Sequence, residues 1–418
     1  MLSKRRAISH ELPDTHQSIW QLSVIQLSGW MSLPILATSV FVLQENSFYG
    51  AALTIVVGNA ILWFIRLGVI IMSHNKRQST LDISRAYLGT TGGYFIGALL
   101  IISTLAWFIA QTSSASNALS HLLPIPESPD IDQLMQMSVL LGVISTLLCM
   151  EGIVVLRRLA SLVFPLLVVA FIVAIFLVPF HLPEQRDATL SLSGLTLVLA
   201  TNLGITADLP TFFRHSRSLK TSVAALTVIQ LVSLVLAICG LYFGSIITHG
   251  IELNTGLILG TGNEILRIAL ILFVFFSVIC ANVANVYSAS VGWEVIAPTA
   301  LIGRKEYLIL GLGLTIIFIL VANLISVEVL LNASDSSLVN LCLVLILGYI
   351  ISRLVGGSPS LFEQRSYFVA WLLSTCANTL QFCKMVPMEV SPLIVGLVII
   401  LAVIAASRMG RAVAKFVY

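Results

Sequence analysis

The 418-residue chain is 58% hydrophobic and only 10% charged, with a formal net charge of +3. Soluble domains average about 25% charged residues, so an ordinary water-soluble protein is excluded and an all-α integral membrane protein is implied. A charge of +3 gives no ground for a nucleic-acid partner.

In a bilayer, length counts spans: each needs about 20 apolar residues, and this chain has room for about twelve. The apolar runs predict spans near 18–44, 49–73, 93–121, 134–155, 159–180, 192–213, 222–246, 264–296, 307–326, 336–354, 366–384 and 391–408. With the N-terminus inside, alternate loops hold most of the 22 basic residues, among them Arg5, Lys76, Arg157, Arg214, Lys305 and Arg408. The opposite loops collect acids, namely Glu127, Asp130, Asp132, Glu184, Asp187, Glu328 and Asp335. The positive-inside rule then predicts both termini in the cytoplasm. The first apolar stretch runs straight into a second span, which predicts a retained helix in place of a cleaved signal.

The six cysteines (Cys149, Cys239, Cys280, Cys342, Cys376, Cys383) lie in or at the ends of apolar spans without metal-ligand spacing, and read as small buried hydrophobes. The seven histidines fall in termini, loops or span edges. That argues against an intramembrane hydrolase, which needs a Ser, His and Asp set or an HExxH. The sequence shows no filter-like loop or ring of charge, so a channel is the more remote alternative.

Two spans carry clustered breakers. Span one reads "VIQLSGWMSLPILATS", with Ser28, Gly29, Ser32 and Pro34 together; span six reads "LATNLGITADLPTFF", with Thr201, Asn202, Gly204, Thr206, Asp208 and Pro210 together. Freed backbone is tolerated only where protein or a water-filled cavity satisfies it. Spans one and six open successive blocks of five. Matching interruptions in two halves point to a transporter with inverted repeats and a midplane site at the breaks. The expected organisation is a tail at 1–17, five-helix repeats at 18–180 and 192–354, two accessory helices at 366–408 and a tail at 409–418.

Span three contains "STLAWFIAQTSSAS". Trp107 and Gln111, four apart, share a helical face deep in an apolar segment. An indole face can stack on a flat ligand while a carboxamide offers both a donor and an acceptor. Among ionisable residues at depth, Asp208 is read as an ion-coupling candidate or as a cap near Arg214 or Arg217. Arg66 and Glu151, toward span ends, are expected to snorkel or pair.

These residues carry a family resemblance. "WFIAQ" in span three resembles the tryptophan-phenylalanine and following glutamine of the nucleobase-cation-symport family 1, the permeases for cytosine, purines, allantoin and hydantoins. "GNAIL" (58–62), "STLDISRAYLGTTGGY" (79–94), "TADLPTFFRHSR" (206–217) and "CANVANVYSAS" (280–290) agree in order. The resemblance covers about residues 20 to 295 and implies a leucine-transporter-like fold: a 5+5 inverted repeat with helices one and six broken, plus two C-terminal helices. It implies that Trp107 stacks on a heterocycle, that Gln111 and Gln26 hydrogen-bond it, and that Asn282 or Asn285 contributes. The inverted-repeat pattern places Ser28, Gly29, Asn202 and Gly204 at the breaks near substrate or ion, and Leu199 and Thr201 are further substrate-binding candidates.

Two positions depart from the family pattern. Its second aromatic, nine residues before Asp208, is Leu199 here, which removes one stacking wall. Its pair of sodium-binding hydroxyls in span eight falls on Cys280 and Ala281, or Ile279 and Cys280, with Ser277 one turn away. Sodium prefers oxygen ligands, so Na+ or H+ remains open as coupling cation. No cofactor and no resident metal is expected. The reading is a non-enzymatic permease for a nucleobase or relative, monomeric or weakly oligomeric, in a bacterial inner membrane, with a same-fold amino-acid transporter as the alternative.

Overall fold

The computed structural model describes residues 16–31, 33–44, 46–74, 77–122, 131–150, 153–177, 188–248, 264–296, 309–313, 316–317, 327–385 and 390–417. Its helices are α1 (Ile19–Trp30), α2 (Leu33–Gln44), α3 (Phe48–His74), α4 (Thr80–Leu122), α5 (Ile131–Cys149) and α6 (Ile153–Leu177). They continue as α7 (Leu192–Phe213), α8 (Leu219–Thr248), α9 (Glu264–Ile296), α10 (Val327–Val355), α11 (Leu361–Phe382) and α12 (Pro392–Val417). Eight of the described helices are long and apolar enough to cross a bilayer, and the protein is an all-α integral membrane protein. Span nine and Glu151 fall largely outside the described residues, as do most of the acidic loops.

Local chemistry sets the helix starts. Ser18 begins α1 with a reciprocal cap: its hydroxyl accepts from the Gln21 N–H at 3.3 Å, while Gln21 Oε1 accepts from the Ser18 N–H at 3.0 Å. Ser360 and Glu363 form the same box at α11. Ser191 caps α7 by accepting from Gly194 N–H at 3.1 Å. Such caps answer backbone donors that a helix start leaves open.

Span one is divided as expected. α1 ends at Trp30, Met31 leaves helical geometry at φ −74°, ψ 49°, and a second helix starts at Leu33. Span six differs from the expectation. α7 runs unbroken through Thr201, Asn202, Gly204 and Thr206, with Pro210 in its last turn. Its polar side chains return to the helix itself: Thr201 Oγ1 donates to Leu197 O at 2.9 Å, Asn202 Nδ2 to Val198 O at 2.9 Å and Thr206 Oγ1 to Asn202 O at 2.8 Å. These residues are compatible with a continuous helix because each has a partner, so their clustering does not signal a break.

Three further boundaries shift. The stretch read as a loop before span three is helical from Thr80, and the chain bends at Gly89, whose φ of +76° favours glycine. α10 begins at Val327, nine residues before the expected start of span ten, so Asp335 lies inside a helix, not in a loop. α12 continues to Val417, through most of the expected tail. α4 lies along α9, α3 along α7 and α8, and α11 against α10 and α12, with α1 between α6, α8 and α9. One extended link ties the start of α1 to the end of α7: the Gln17 N–H donates to His215 O at 2.9 Å.

Candidate functional site

Where α1, α4, α7, α9 and α10 meet, they enclose a cavity of about 110 Å³. The last turns of α1 supply Gln26, Gly29 and Trp30; α4 supplies Ser103, Thr104, Trp107 and Gln111, one face over successive turns. α7 adds Gly204, Asp208 and Phe212, α9 adds Ala281, Asn285 and Ser288, and α10 adds Asp335 and Leu338.

Most buried polar groups in folded proteins are paired, yet several here are not. Gln111 is 6% exposed and its Oε1 has no hydrogen-bond partner; the Asn285 Nδ2 likewise has none. The Gln26 carboxamide, 6% exposed, lines the same cavity. Three carboxamides thus converge on one cavity, with an acceptor of Gln111 and a donor of Asn285 unused. The Trp107 indole N–H is occupied, donating to Asp335 Oδ1 at 2.9 Å, while the second Asp335 oxygen has no partner among the described residues.

Asp208 is held differently. Its Oδ1 accepts from Thr211 at 2.6 Å and from Thr80 at 3.3 Å, and its Oδ2 accepts from Ser288 at 2.5 Å. Three hydroxyls from α4, α7 and α9 meet on this one carboxylate, so it joins helices and does not cap the end of α7.

Arg66 does not snorkel. It is 1% exposed, and its guanidinium donates to Thr206 Oγ1 at 3.0 Å, Gln230 Oε1 at 2.7 Å and Asn202 Oδ1 at 3.1 Å. Gln230 is oriented in turn by Asn59, whose main-chain carbonyl accepts from Gln230 Nε2 at 2.9 Å. The Arg66 cation also sits 4.4 Å from the centroid of the Trp30 ring. Arg66 and Asp335 were not read from the sequence as site residues. A serine-rich turn at 334–337 with helical spacing was the available signal for Asp335.

The remaining sequence candidates divide between the cavity wall and its surroundings. Leu199 packs against the surrounding hydrophobic core, and Thr201 and Asn202 are not part of the cavity lining. Asn282 is fully buried and donates to Thr112 Oγ1 at 2.9 Å, so of the two asparagines only Asn285 lines the cavity. Ser28 donates to Ile25 O at 3.2 Å and lies beside the Cys280 thiol; Ala281 backs Gly29. Ser277 donates to Val274 O at 3.0 Å in its own helix. Gly204 leaves room for Asp335: a Cβ there would stand 3.3 Å from Asp335 Oδ1. Among the described residues no cluster of three His, Cys, Asp or Glu side chains gathers.

No family model and no curated protein matches the chain. Solved structures share its fold. A nucleobase-cation-symport-1 family transporter, Mhp1, in a closed conformation with bromovinylhydantoin bound, is 13% identical over 96% of this chain and 96% of its own, with a TM-score of 0.63. A Na+-coupled sialic acid symporter in an outward-open state is 14% identical over 94% and 90%, with a TM-score of 0.61. A manganese transporter from Eremococcus coleocola is 15% identical over 98% and 97%, with a TM-score of 0.57. The fold is therefore that of these transporters.

Proposed function

We propose that the chain is a secondary active transporter that carries a small heterocycle, a nucleobase or close relative, by alternating access coupled to a monovalent cation. The observation that carries this reading is the convergence of the unpaired Gln111 and Asn285 carboxamide atoms with Gln26 and the Trp107 indole in one central cavity. A flat ring takes the indole face, and its polar edges satisfy the amides that the protein leaves open. A buried polar group left unmatched costs roughly 1 to 3 kcal/mol. The same groups thus favour a polar ring over an apolar one.

The neighbours add support: one binds a hydantoin and another couples a small solute to Na+. In this reading the chain holds two five-helix repeats, 18–180 and 192–354, and a four-helix bundle made of the first helix of each and their repeat partners rocks against the remaining scaffold. The chain sits in a bacterial inner membrane with both termini cytoplasmic. A carboxylate-bearing amino acid fits less well. Asp208 and Asp335 line the cavity and no Lys or Arg does, so a ligand carboxylate would meet like charge. Sodium coupling is also disfavoured, because Cys280 and Ala281 supply no side-chain oxygen and the Ser277 hydroxyl is spent on its own helix.

Thermal stability of the purified protein against nucleobases, hydantoins and amino acids, each in sodium and in choline, tests the reading. A ligand that binds the folded state raises the midpoint. Nucleobases or hydantoins should do so in wild type and not in Trp107→Ala. A shift with amino acids alone, or an undiminished shift in Trp107→Ala, would overturn it.

A further inference from the structure

We infer that Asp335 is the residue that takes up and releases the coupling proton, and that Trp107 links its charge to the bound heterocycle. This rests on the transport reading above and names the cation for that same site.

Asp335 differs from every other acid in the cavity region. Among the described residues its one hydrogen bond comes from a neutral N–H, that of Trp107, and no guanidinium or ammonium lies within salt-bridge reach. Asp335 forms part of the cavity wall, which sets its carboxyl beside the ligand space. Asp208 is the contrasting case: its two oxygens already accept from the hydroxyls of Thr80, Thr211 and Ser288.

Charge balance points the same way. Arg66 stands behind Trp30, and Arg214 is near enough to act on Asp208, whereas Asp335 has the neutral Trp107 N–H beside it and no such cation. Asp335 is thus the carboxylate whose charge goes unmatched, and a proton on it removes that charge, so one proton per cycle is the expected stoichiometry. Unpaired charge is expensive inside a membrane protein.

The surroundings of Asp335 leave few competitors. From α7 the facing ionisable group is Asp208, and from α3 it is Arg66, which stands beside Cys342 of α10. On α4 and α11, Tyr87 and Tyr367 pair beside Gly348, roughly 20 Å along α10 from Asp335 at 1.5 Å per residue. Cys376 of α11 is exposed, and Arg408 of α12 lies three turns beyond Gly396, which meets Asn340.

The chemical consequence is a switch between acceptor and donor. Ionised, Asp335 accepts from Trp107 in a charge-assisted bond and offers its second oxygen as an acceptor. Protonated on that oxygen, it presents O–H to the ligand, and the bond from Trp107 to Oδ1 weakens. Ligand stacked on Trp107 and proton on Asp335 therefore sense one another through a single side chain.

Two measurements test this. The first needs no ligand: infrared difference spectra of the whole protein in lipid, titrated with pH, should show a protonated carboxyl stretch that is missing in Asp335→Asn. The second uses radiolabelled cytosine in potential-clamped, sodium-free liposomes. A one-unit pH gradient should sustain about tenfold accumulation in wild type at one proton per substrate. Asp335→Asn, a mimic of the protonated acid, should lose accumulation while retaining cytosine exchange. Asp335→Glu, which keeps a titratable group, should accumulate. A carboxyl band unchanged in Asp335→Asn, or accumulation that survives that substitution or requires sodium, would overturn the proposal. If cytosine neither binds nor moves in wild type, the substrate reading fails, and the infrared titration decides the role of Asp335 alone.

Discussion

The guanidinium of Arg66 lies 4.4 Å from the centre of the Trp30 ring, and that ring is a wall of the central cavity. The cation therefore acts on the cavity without touching it. Its three side-chain acceptors come from α7 and α8, so one residue of α3 fixes the positions of two other helices and of an indole.

Replacing Arg66 with Met should lower the thermal midpoint markedly. Thr206 keeps its bond to Asn202 O, but Gln230 Oε1 and Asn202 Oδ1 lose their donor, at roughly 1 to 3 kcal/mol each. Arg66→Lys should recover only part of the loss, because an ammonium cannot reproduce the guanidinium fork. Differential scanning fluorimetry of both variants checks this; a Lys variant as stable as wild type would mean that charge alone suffices.

Gln111→Leu should weaken binding of nucleobases by about 1 to 3 kcal/mol, the cost of leaving a polar ligand edge unpaired. Stability should hold or rise, since the buried and unpartnered Oε1 is removed. Titration calorimetry together with a thermal midpoint separates the two effects. A loss of stability would show that Gln111 binds helices together.

His215 predicts a pH dependence of stability. It lies in the turn after α7, 2% exposed, with its Nε2 3.3 Å from Arg214 Nε and 3.1 Å from the Tyr287 hydroxyl. Burial, with the Arg214 guanidinium adding to it, pushes the imidazole down from 6.5 to about 3. The folded protein thus holds His215 neutral while the unfolded chain protonates it more readily. Its contribution is fully present above about pH 6.5 and is lost progressively as pH falls toward about 3. Midpoints measured across that window should slope less steeply in His215→Gln than in wild type.

Gly58 packs α3 against α7, where an added Cβ would stand 2.7 Å from Val198 Cγ1. Gly58→Ala should cost about 1 to 3 kcal/mol by overpacking. Val198→Ala in the same chain should restore part of it. A double-mutant cycle with no coupling would mean that the two helices do not meet there.

Sequence reading reached the membrane class, the divided first span and the Trp107 and Gln111 face because each depends on neighbours within a few residues. It missed what depends on distant partners. Arg66 reads as a span-end charge until Asn202, Thr206 and Gln230 are brought to it from two other helices. Span six looks broken because its polar residues are counted without the bonds that absorb them. Asp335 was hidden by composition: Asn332, Ser334, Ser336 and Ser337 resemble a loop, yet the three serines each bond back to a carbonyl three or four residues earlier within α10.

The uninterrupted α7 sets how motion can spread. Gly204, against Asp335, and Asp208, against Ser288 and Thr80, are one turn apart on the same rigid rod. Among the described residues span one divides at Met31 while span six does not, so the Asp335 and Asp208 levels are tied through one continuous helix. The Gln17 to His215 link joins the end of that helix to the start of α1.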